Sequence, residues 1–225
     1  MKVDARVETI LTLLKKNYPH ATIILKYGNS WELLVSVVLS AQCTDVVVNK
    51  VTERLFQKYP TLNDYVKADL VEFEQDITST GFYHNKAKNI LAAARLIQEK
   101  FNGNVPDTME EILTIPGVAR KTANVVLGNA FGVVEGIAVD THVIRLSQRL
   151  GLVRQGVIGG KKLVTDFKKD ADPVKIEREL MAVIPKEDWF QMTYFLIDHG
   201  RAVCKAQNPD CAYCFLNKLC PASRA

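Results

Sequence analysis

Two groups of residues in this sequence could do chemistry: a lysine with an aspartate, and four clustered cysteines. Lys121 follows the turn Pro116-Gly117 and opens a predicted helix, where the backbone dipole disfavours a cation. That position is poor for a structural lysine and good for a reactive amine. Asp140 precedes a second predicted helix, residues 141–150. Its ordinary role there is an N-cap, and a carboxylate that accepts backbone N–H bonds also stays ionised.

The four cysteines lie within the last 22 residues in the spacing C-x6-C-x2-C-x5-C: Cys204, Cys211, Cys214 and Cys220. Four thiolates suit either a tetrahedral zinc ion or an iron–sulfur cube, and the spacing alone favours zinc slightly. The opening residues, MKVDARVETI, carry acids and lack an apolar signal region, so we expect a cytoplasmic protein. Thiols stay reduced in that compartment, which favours metal ligation over disulfides.

Bulk composition sets wide limits on partners and domain number. The length of 225 residues allows one or two domains with a substantial core. A net charge of +4 is compatible with nucleic acid binding but is also typical of an incidental basic surface. The longest apolar runs, residues 33–44 and 122–134, are shorter than the ~20 residues that cross a bilayer, so no membrane association is expected.

Helical periodicity runs through nearly every segment, and no pair of alternating runs indicates a sheet, so the predicted class is all-α. On the helix predicted from Asn85 to Lys100, the cations Lys86, Lys88 and Arg95 indicate a solvated basic face. Gly156, Gly159 and Gly160 predict a surface loop. The other predicted helices cover residues 4–17, 31–42, 45–57, 69–77, 141–150 and 189–201, and a further one starts at Asp172-Pro173.

Lys121 is positioned by a predicted helix–turn–helix unit. Thr108 and Glu111 form a capping box for the first helix. Pro116 has no backbone N–H to donate, and Gly117 can adopt the dihedral angles that a reversal needs. The second helix opens at Arg120-Lys121 and is expected to bury a stripe at helical spacing, made of Ala123, Val126, Leu127 and Ala130.

The stretch LTIPGVARKTANVVL followed by VDTH resembles the helix-hairpin-helix and catalytic segment of the endonuclease III family of DNA glycosylases. Three further stretches agree in the family's order: LSAQCTD at 39–45, GFYHNKAKNI at 81–90, and the four-cysteine tail. One departure is Ala119, where the family often has a second glycine. The hairpin is then slightly less permissive, but its backbone groups stay available.

The resemblance implies a bifunctional glycosylase and lyase acting on oxidised pyrimidines in DNA. The Lys121 amine would attack the sugar C1′, expel the damaged base, form a Schiff base and lead to β-elimination. Asp140 would help to deprotonate the attacking group and stabilise the cationic sugar. Related glycosylases without the lysine use water and stop after base removal.

The resemblance also suggests which residues contact DNA. Gln42 is similar to a residue that fills the stack after a nucleotide flips out, although a helix-end residue that caps its neighbour is the alternative. Phe82 is similar to an apolar wedge, and packing under its loop is the alternative. The remaining candidates are the hairpin residues Gly117, Val118, Ala119 and Arg120, whose backbone would hold a phosphate, and Lys205 in the tail.

The four cysteines match the family's [4Fe–4S] loop, which reverses the preference for zinc. By resemblance the fold has two helical lobes: residues 22–135 with the hairpin, and residues 1–21 plus 136–225 with the cluster. The implied partner is double-stranded DNA with damaged bases or abasic sites, bound by a monomer at the nucleoid.

Two rival functions remain at this point. Adenine and thymine mismatch glycosylases share the fold but usually lack the lysine that stands here as Lys121. A non-catalytic, metal-stabilised DNA-binding module would explain the hairpin and the cysteines, but it would not explain Lys121 together with Asp140.

Overall fold

The computed structural model describes residues 4–154 and 167–225. The elements in these ranges are α-helices, 3-10 turns and a π turn, which confirms the predicted all-α class. No strand occurs in the described residues. No described helix is both long and apolar enough to span a bilayer. The loop predicted at Gly156, Gly159 and Gly160 lies outside the described residues. The chain divides into two compact units, residues 23–135 and residues 1–22 with 136–225, and each is considered by itself.

The unit of residues 23–135 is built around a buried apolar helix and a long helix. The apolar helix starts where Asn29 Oδ1 accepts a hydrogen bond from the Glu32 backbone N–H at 2.9 Å, and nearly all of its residues are buried. The long helix packs against two short ones through Tyr65, Phe73 and Ile97, which are fully buried. In chain order, with α1 (Ala5–Asn17) belonging to the other unit, the helices are α2 (Ser30–Leu39), α3 (Asp45–Lys58), α4 (Leu62–Lys67), α5 (Leu70–Ile77), α6 (Tyr83–Lys100), α7 (Met109–Ile112) and α8 (Arg120–Val126).

Two helix boundaries differ from the prediction by two residues or more, and a residue in the left-handed region lies near each. Helix α2 ends at Leu39, three residues before the predicted end, and Gln42 has φ of +53°. Helix α6 begins at Tyr83, two residues before Asn85, directly after Phe82 with φ of +49°. Helical periodicity alone does not reveal such a dihedral angle.

The predicted solvated face of α6 is wrong for one of its cations. Lys86 is only 5% exposed, and its ammonium donates hydrogen bonds to the carbonyl oxygens of Leu39 and Thr80, at 2.8 Å each. Burial lowers the pKa of Lys86, and the nearby Cys43 opposes that shift. Lys88, two residues further along the same helix, is exposed as predicted.

The hairpin has the predicted local features. Thr108 Oγ1 accepts from the Glu111 backbone N–H at 3.3 Å and caps α7. Gly117 has φ of +81°, and a Cβ there would lie 2.9 Å from Asn89 Cβ, so both the angle and the space require glycine. The Ala123–Ala130 stripe is confirmed only in part. Helix α8 ends at Val126, a π turn follows over Leu127–Phe131, and Ala130 is half-exposed.

The other unit packs its helices around the element that Asp140 starts. Its remaining helices are α9 (Thr141–Arg149), α10 (Pro173–Val183) and α11 (Trp189–Ala202). As predicted, Gly151 with φ of +61° follows α9, and Asp172 caps α10 ahead of Pro173. Helices α9 and α11 pack closely at Gly200, where a Cβ would lie 2.5 Å from His142 Nδ1.

Candidate active site and cysteine loop

Lys121 is the second residue of α8 and is half-exposed. Ala119, the residue before the helix, stands at the N-cap and offers no side-chain hydrogen bond to the first turn. The turn before it closes through a backbone bond from Val118 N to Ile115 O at 3.1 Å. Gly117 and Ala119 are exposed, and Val118 and Arg120 are half-exposed, so this turn presents backbone groups at the surface.

Gln42 and Phe82 are also exposed in the unit that holds Lys121. The Phe82 ring belongs to a residue that is 66% exposed, which is unusual for a large apolar side chain and excludes the alternative of packing under its loop. Gln42 follows the end of α2 in a turn closed by a bond from Cys43 N to Ser40 O at 3.1 Å. Both side chains are therefore exposed in short turns, one after α2 and one directly before α6.

Asp140 starts α9 as an N-cap, as predicted. Its Oδ1 accepts from the Val143 backbone N–H at 2.8 Å, and its residue is half-exposed. Two residues later, His142 Nδ1 lies 3.1 Å from Nη2 of Arg145. A guanidinium can only donate, so this nitrogen is the acceptor, and the ring proton of a neutral His142 is carried by Nε2.

The four cysteines of the cysteine loop (residues 203–220) are half-exposed and border one shared cavity after α11: Cys204, Cys211, Cys214 and Cys220. Across the described ranges, no three His, Cys, Asp or Glu side chains converge on a point that one metal ion could occupy.

Two arginines of α9 hold the start of the cysteine loop. Arg145 Nε donates to Cys204 O at 3.1 Å, and its Nη2 donates to Gly200 O at 3.2 Å. Arg149 is 4% exposed and donates from Nη1 to Lys205 O at 2.7 Å and from Nη2 to Ala206 O at 2.9 Å. The helix that begins at Asp140 is therefore fastened to the backbone around the first cysteine.

A buried histidine borders the same cavity from α11. His199 is 1% exposed, and its Nε2 lies 3.5 Å from Cys214 Sγ while its Nδ1 lies 3.0 Å from the Tyr18 hydroxyl. Burial lowers the pKa of His199 to about 4 and raises the pKa of Tyr18 to about 12. Both groups are thus neutral near pH 7. With Cys214 as a thiolate, Nε2–H would donate to the sulfur and the Tyr18 hydroxyl to Nδ1.

Burial also changes the cysteines. Desolvation raises the pKa of Cys220 to about 11 and raises the pKa of Cys214, and the neighbouring cysteines add to both shifts. Without a metal, these two thiols would stay protonated at neutral pH. Ligation therefore has to release protons, and the metal's positive charge supplies the compensation.

Comparisons with known proteins agree with this arrangement. The family described as "HhH-GPD superfamily base excision DNA repair protein" matches residues 35–173. Endonuclease III of Synechocystis sp. is 53% identical, over 98% of this chain and 94% of its own length. Endonuclease III of Bacillus subtilis is 47% identical, over 96% of this chain and 91% of its own length. The chain belongs to the endonuclease III family.

Solved structures of the endonuclease III family match this chain as a whole. The structure of a trapped endonuclease III–DNA covalent intermediate, an estranged-adenine complex, has 45% sequence identity and a TM-score of 0.87. The match extends over 100% of this chain and 98% of the chain in that structure. A thermostable thymine-DNA glycosylase, at 21% identity and a TM-score of 0.78 over 96% of this chain, shows likeness of fold alone.

The endonuclease III resemblance is thus confirmed, while the roles of individual residues stay predictions. Sequence reasoning missed four buried polar side chains, Lys86, Arg145, Arg149 and His199, and the half-buried Tyr18 that contacts His199. Arg145 and Arg149 are four residues apart, which puts them on one helix face, and that spacing ahead of a cysteine tail was the available signal. Nothing in the sequence distinguishes Lys86 from a solvated lysine.

Proposed function

We propose that this chain is a bifunctional DNA glycosylase and abasic-site lyase of base excision repair, with oxidised pyrimidines in duplex DNA as its substrates. Family membership supports the reaction class, because the matching family is one of base excision DNA repair proteins. The observation that carries the lyase half is Lys121, a half-exposed amine in the first turn of α8, directly after the hairpin.

Lys121 acts as the nucleophile. A proton must leave its ammonium before the nitrogen can attack C1′, and the helix dipole at the start of α8 favours that loss. Bond formation between Nζ and C1′ accompanies cleavage of the bond to the base, which leaves with a proton. The sugar ring then opens to a Schiff base, loses a proton from C2′ and expels the 3′-phosphate.

Asp140 supports breaking of the glycosidic bond. Its Oδ1 is held by the Val143 backbone N–H at 2.8 Å, which favours an ionised carboxylate of fixed orientation. A fixed negative charge stabilises the positive charge that develops on the sugar as the base departs.

The exposed turns account for DNA binding. Backbone N–H groups of the hairpin bind a phosphate without reading sequence, which suits an enzyme that examines all DNA: Gly117, Val118, Ala119 and Arg120. Gln42 and Phe82 occupy the stack vacated by the flipped nucleotide. Lys205, exposed directly after Cys204, contacts the backbone phosphates.

The cysteine loop holds a [4Fe–4S] cluster. Family membership, the spacing of the four cysteines and their position around one cavity support this assignment over zinc. A bound cluster would cross-link the two ends of the loop, from Cys204 to Cys220. The protein's own part is to hold that loop through Arg145 and Arg149 and to present Lys205 beside it. The two compact units are then two functional domains of a monomer.

A duplex panel with covalent trapping tests this function. Duplexes containing thymine glycol, an abasic site, a mismatched adenine or no lesion are incubated with the protein, with and without borohydride. Excision and nicking of the thymine glycol duplex are expected, together with a borohydride-trapped adduct, because a Schiff base is reducible. Cleavage confined to the mismatched adenine would make the protein a mismatch glycosylase, and binding without cleavage would make it a DNA-binding module.

A lysine pair identifies the nucleophile. Lys121→Gln should abolish the adduct and leave duplex binding largely intact, because phosphate contacts remain. Lys88→Gln removes the same charge from an exposed position of α6 and should trap at the parental level. An unchanged adduct in Lys121→Gln would contradict the assigned nucleophile.

A further inference from the structure

Gln42 and Phe82 share an unusual backbone geometry. Both have φ in the left-handed region, +53° and +49°, where non-glycine residues are uncommon. Such dihedral angles persist only where the surrounding structure holds them. Each residue follows a buried carbonyl closely, since Leu39 is three positions before Gln42 and Thr80 is two positions before Phe82.

One ammonium group joins those two carbonyls. Lys86 Nζ lies 2.8 Å from Leu39 O and 2.8 Å from Thr80 O, in a region where Lys86 is 5% exposed. Leu39 is the last residue of α2, whose own last turn has no basic residue. Carbonyls at a helix end lack intrahelical partners and attract a cation. Lys86, on α6, therefore supplies the cationic hydrogen-bond donor that the last turn of α2 does not have.

The same side chain spans both turns from a third element. The Lys86 backbone N–H donates to Phe82 O at 3.2 Å, so one residue contacts the Phe82 turn through its backbone and its ammonium. Cys43, next to Gln42, is a further electrostatic neighbour of that ammonium. The Gln42 turn and the Phe82 turn are therefore both held by hydrogen bonds to one buried side chain, that of Lys86.

We propose that Lys86 is a positioning residue for base extrusion, which sets the separation of the Gln42 and Phe82 turns so that both side chains enter the DNA stack together. This inference rests on the proposed function, which assigns the stack-filling role to those two side chains. Lys86 itself touches no DNA. A neutral, apolar side chain of equal length would leave two buried carbonyls without a donor and release the turns from each other.

Binding selectivity is the direct test. Dissociation constants are measured for a duplex with a tetrahydrofuran abasic analogue and for the undamaged duplex, at one salt concentration. Lys86→Met should reduce the preference for the abasic duplex by ~10-fold, within the range for a lost base contact. Affinity for the undamaged duplex should change little. Lys88→Met removes the same charge from the surface of α6 and should retain the parental preference.

A double-mutant cycle separates positioning from general support of the fold. If Lys86 acts through the two turns, Lys86→Met should have little further effect on selectivity when Gln42 and Phe82 are both alanine. The inference would be overturned if Lys86→Met lowered selectivity by the same factor in the alanine variants as in the parental protein. It would also be overturned if Lys86→Met weakened binding to both duplexes equally. Either result would leave the proposed function standing. If the alanine variants themselves retain parental selectivity, the stack-filling role and this inference both fail.

A second variant covers the case in which Lys86→Met does not fold. Lys86→Gln keeps an N–H donor on a shorter side chain that cannot reach both carbonyls. Its dissociation constants for the abasic and the undamaged duplex should show the same loss of preference. In the parental protein, ¹⁵N NMR of the lysine ammonium groups should show a slowly exchanging signal that Lys86→Gln removes. Absence of that signal, or parental selectivity in a folded Lys86→Gln, would overturn the inference.

Discussion

Arg149 Nη1 lies 3.4 Å from Cys204 Sγ, which connects the helix that begins at Asp140 to the first cysteine of the loop. The same guanidinium stacks near the Phe167 ring, with Cζ 5.2 Å from the ring centroid. A charged donor beside a cysteine sulfur stabilises the thiolate form that a metal cluster requires. We therefore expect cluster binding and the thermal stability of the protein to depend on this one side chain.

Replacing Arg149 with leucine should weaken both properties. The carbonyls of Lys205 and Ala206, which belong to exposed residues, would lose their donor at a cost of ~1 kcal/mol each, because water can replace part of the hydrogen bond. The thermal unfolding midpoint should fall by roughly 2–4 °C per kcal/mol for a chain of this size. Calorimetry and iron analysis measure the two effects. Arg154→Leu, at an exposed position, is the control, and equal behaviour of the two variants would contradict the assigned role.

We expect the purified protein to be coloured, because the cysteine loop is proposed to hold an iron–sulfur cluster. A [4Fe–4S] cluster should make the purified protein yellow-brown, with an absorption band at ~400 nm. Cys204→Ser should lower the iron and sulfide content, whereas Cys43→Ser, which removes a cysteine outside the loop, should not. Stoichiometric zinc without iron or sulfide would exclude the cluster.

Asp140→Asn should separate the capping role of Asp140 from its catalytic role. Asparagine is nearly as good an N-cap as aspartate, so the unfolding free energy and the cluster content should stay close to parental. Loss of the negative charge should lower thymine glycol excision by ~10²-fold or more, because charge stabilisation in an active site has effects of this size. Single-turnover excision and chemical denaturation measure the two quantities.

The outcome at a preformed abasic site sharpens the Asp140 test. No glycosidic bond remains to be broken there, so nicking by Asp140→Asn should be reduced less than excision. Asp172→Asn is the matched control, since Asp172 caps α10 with Oδ1 2.9 Å from Val174 N. Excision at the parental rate by Asp140→Asn would leave Asp140 as a cap and nothing more.

Gln42→Ala and Phe82→Ala should each weaken binding to an abasic duplex by ~1–3 kcal/mol, the scale of a lost stacking or base contact. Undamaged duplex is held mainly through phosphates and should be affected much less. Val71→Ala, at an exposed apolar residue of the same unit, should change neither affinity. Equal losses on both duplexes would mean that the two side chains support only the fold.

The family, the all-α class and most helix starts could be predicted from the sequence. These features depend on interactions between residues a few positions apart. Thr108 with Glu111, Asp140 with Val143, and Asp172 with Val174 are caps whose partners lie within the same turn. The positions of Lys121 and Asp140 at helix starts could be predicted for the same reason.

Which polar side chains are buried, and what they contact, depends on tertiary packing and could not be predicted from the sequence. Lys86 was expected in solvent, yet it meets the carbonyl of Leu39, which is 47 positions away in the chain. Tyr18 meets His199 across 181 positions, and Arg149 reaches Ala206 across 57. Helical periodicity indicates which side of a helix a residue occupies. Whether a distant carbonyl or ring lies opposite that side depends on how the helices pack, and a local pattern carries no information about packing.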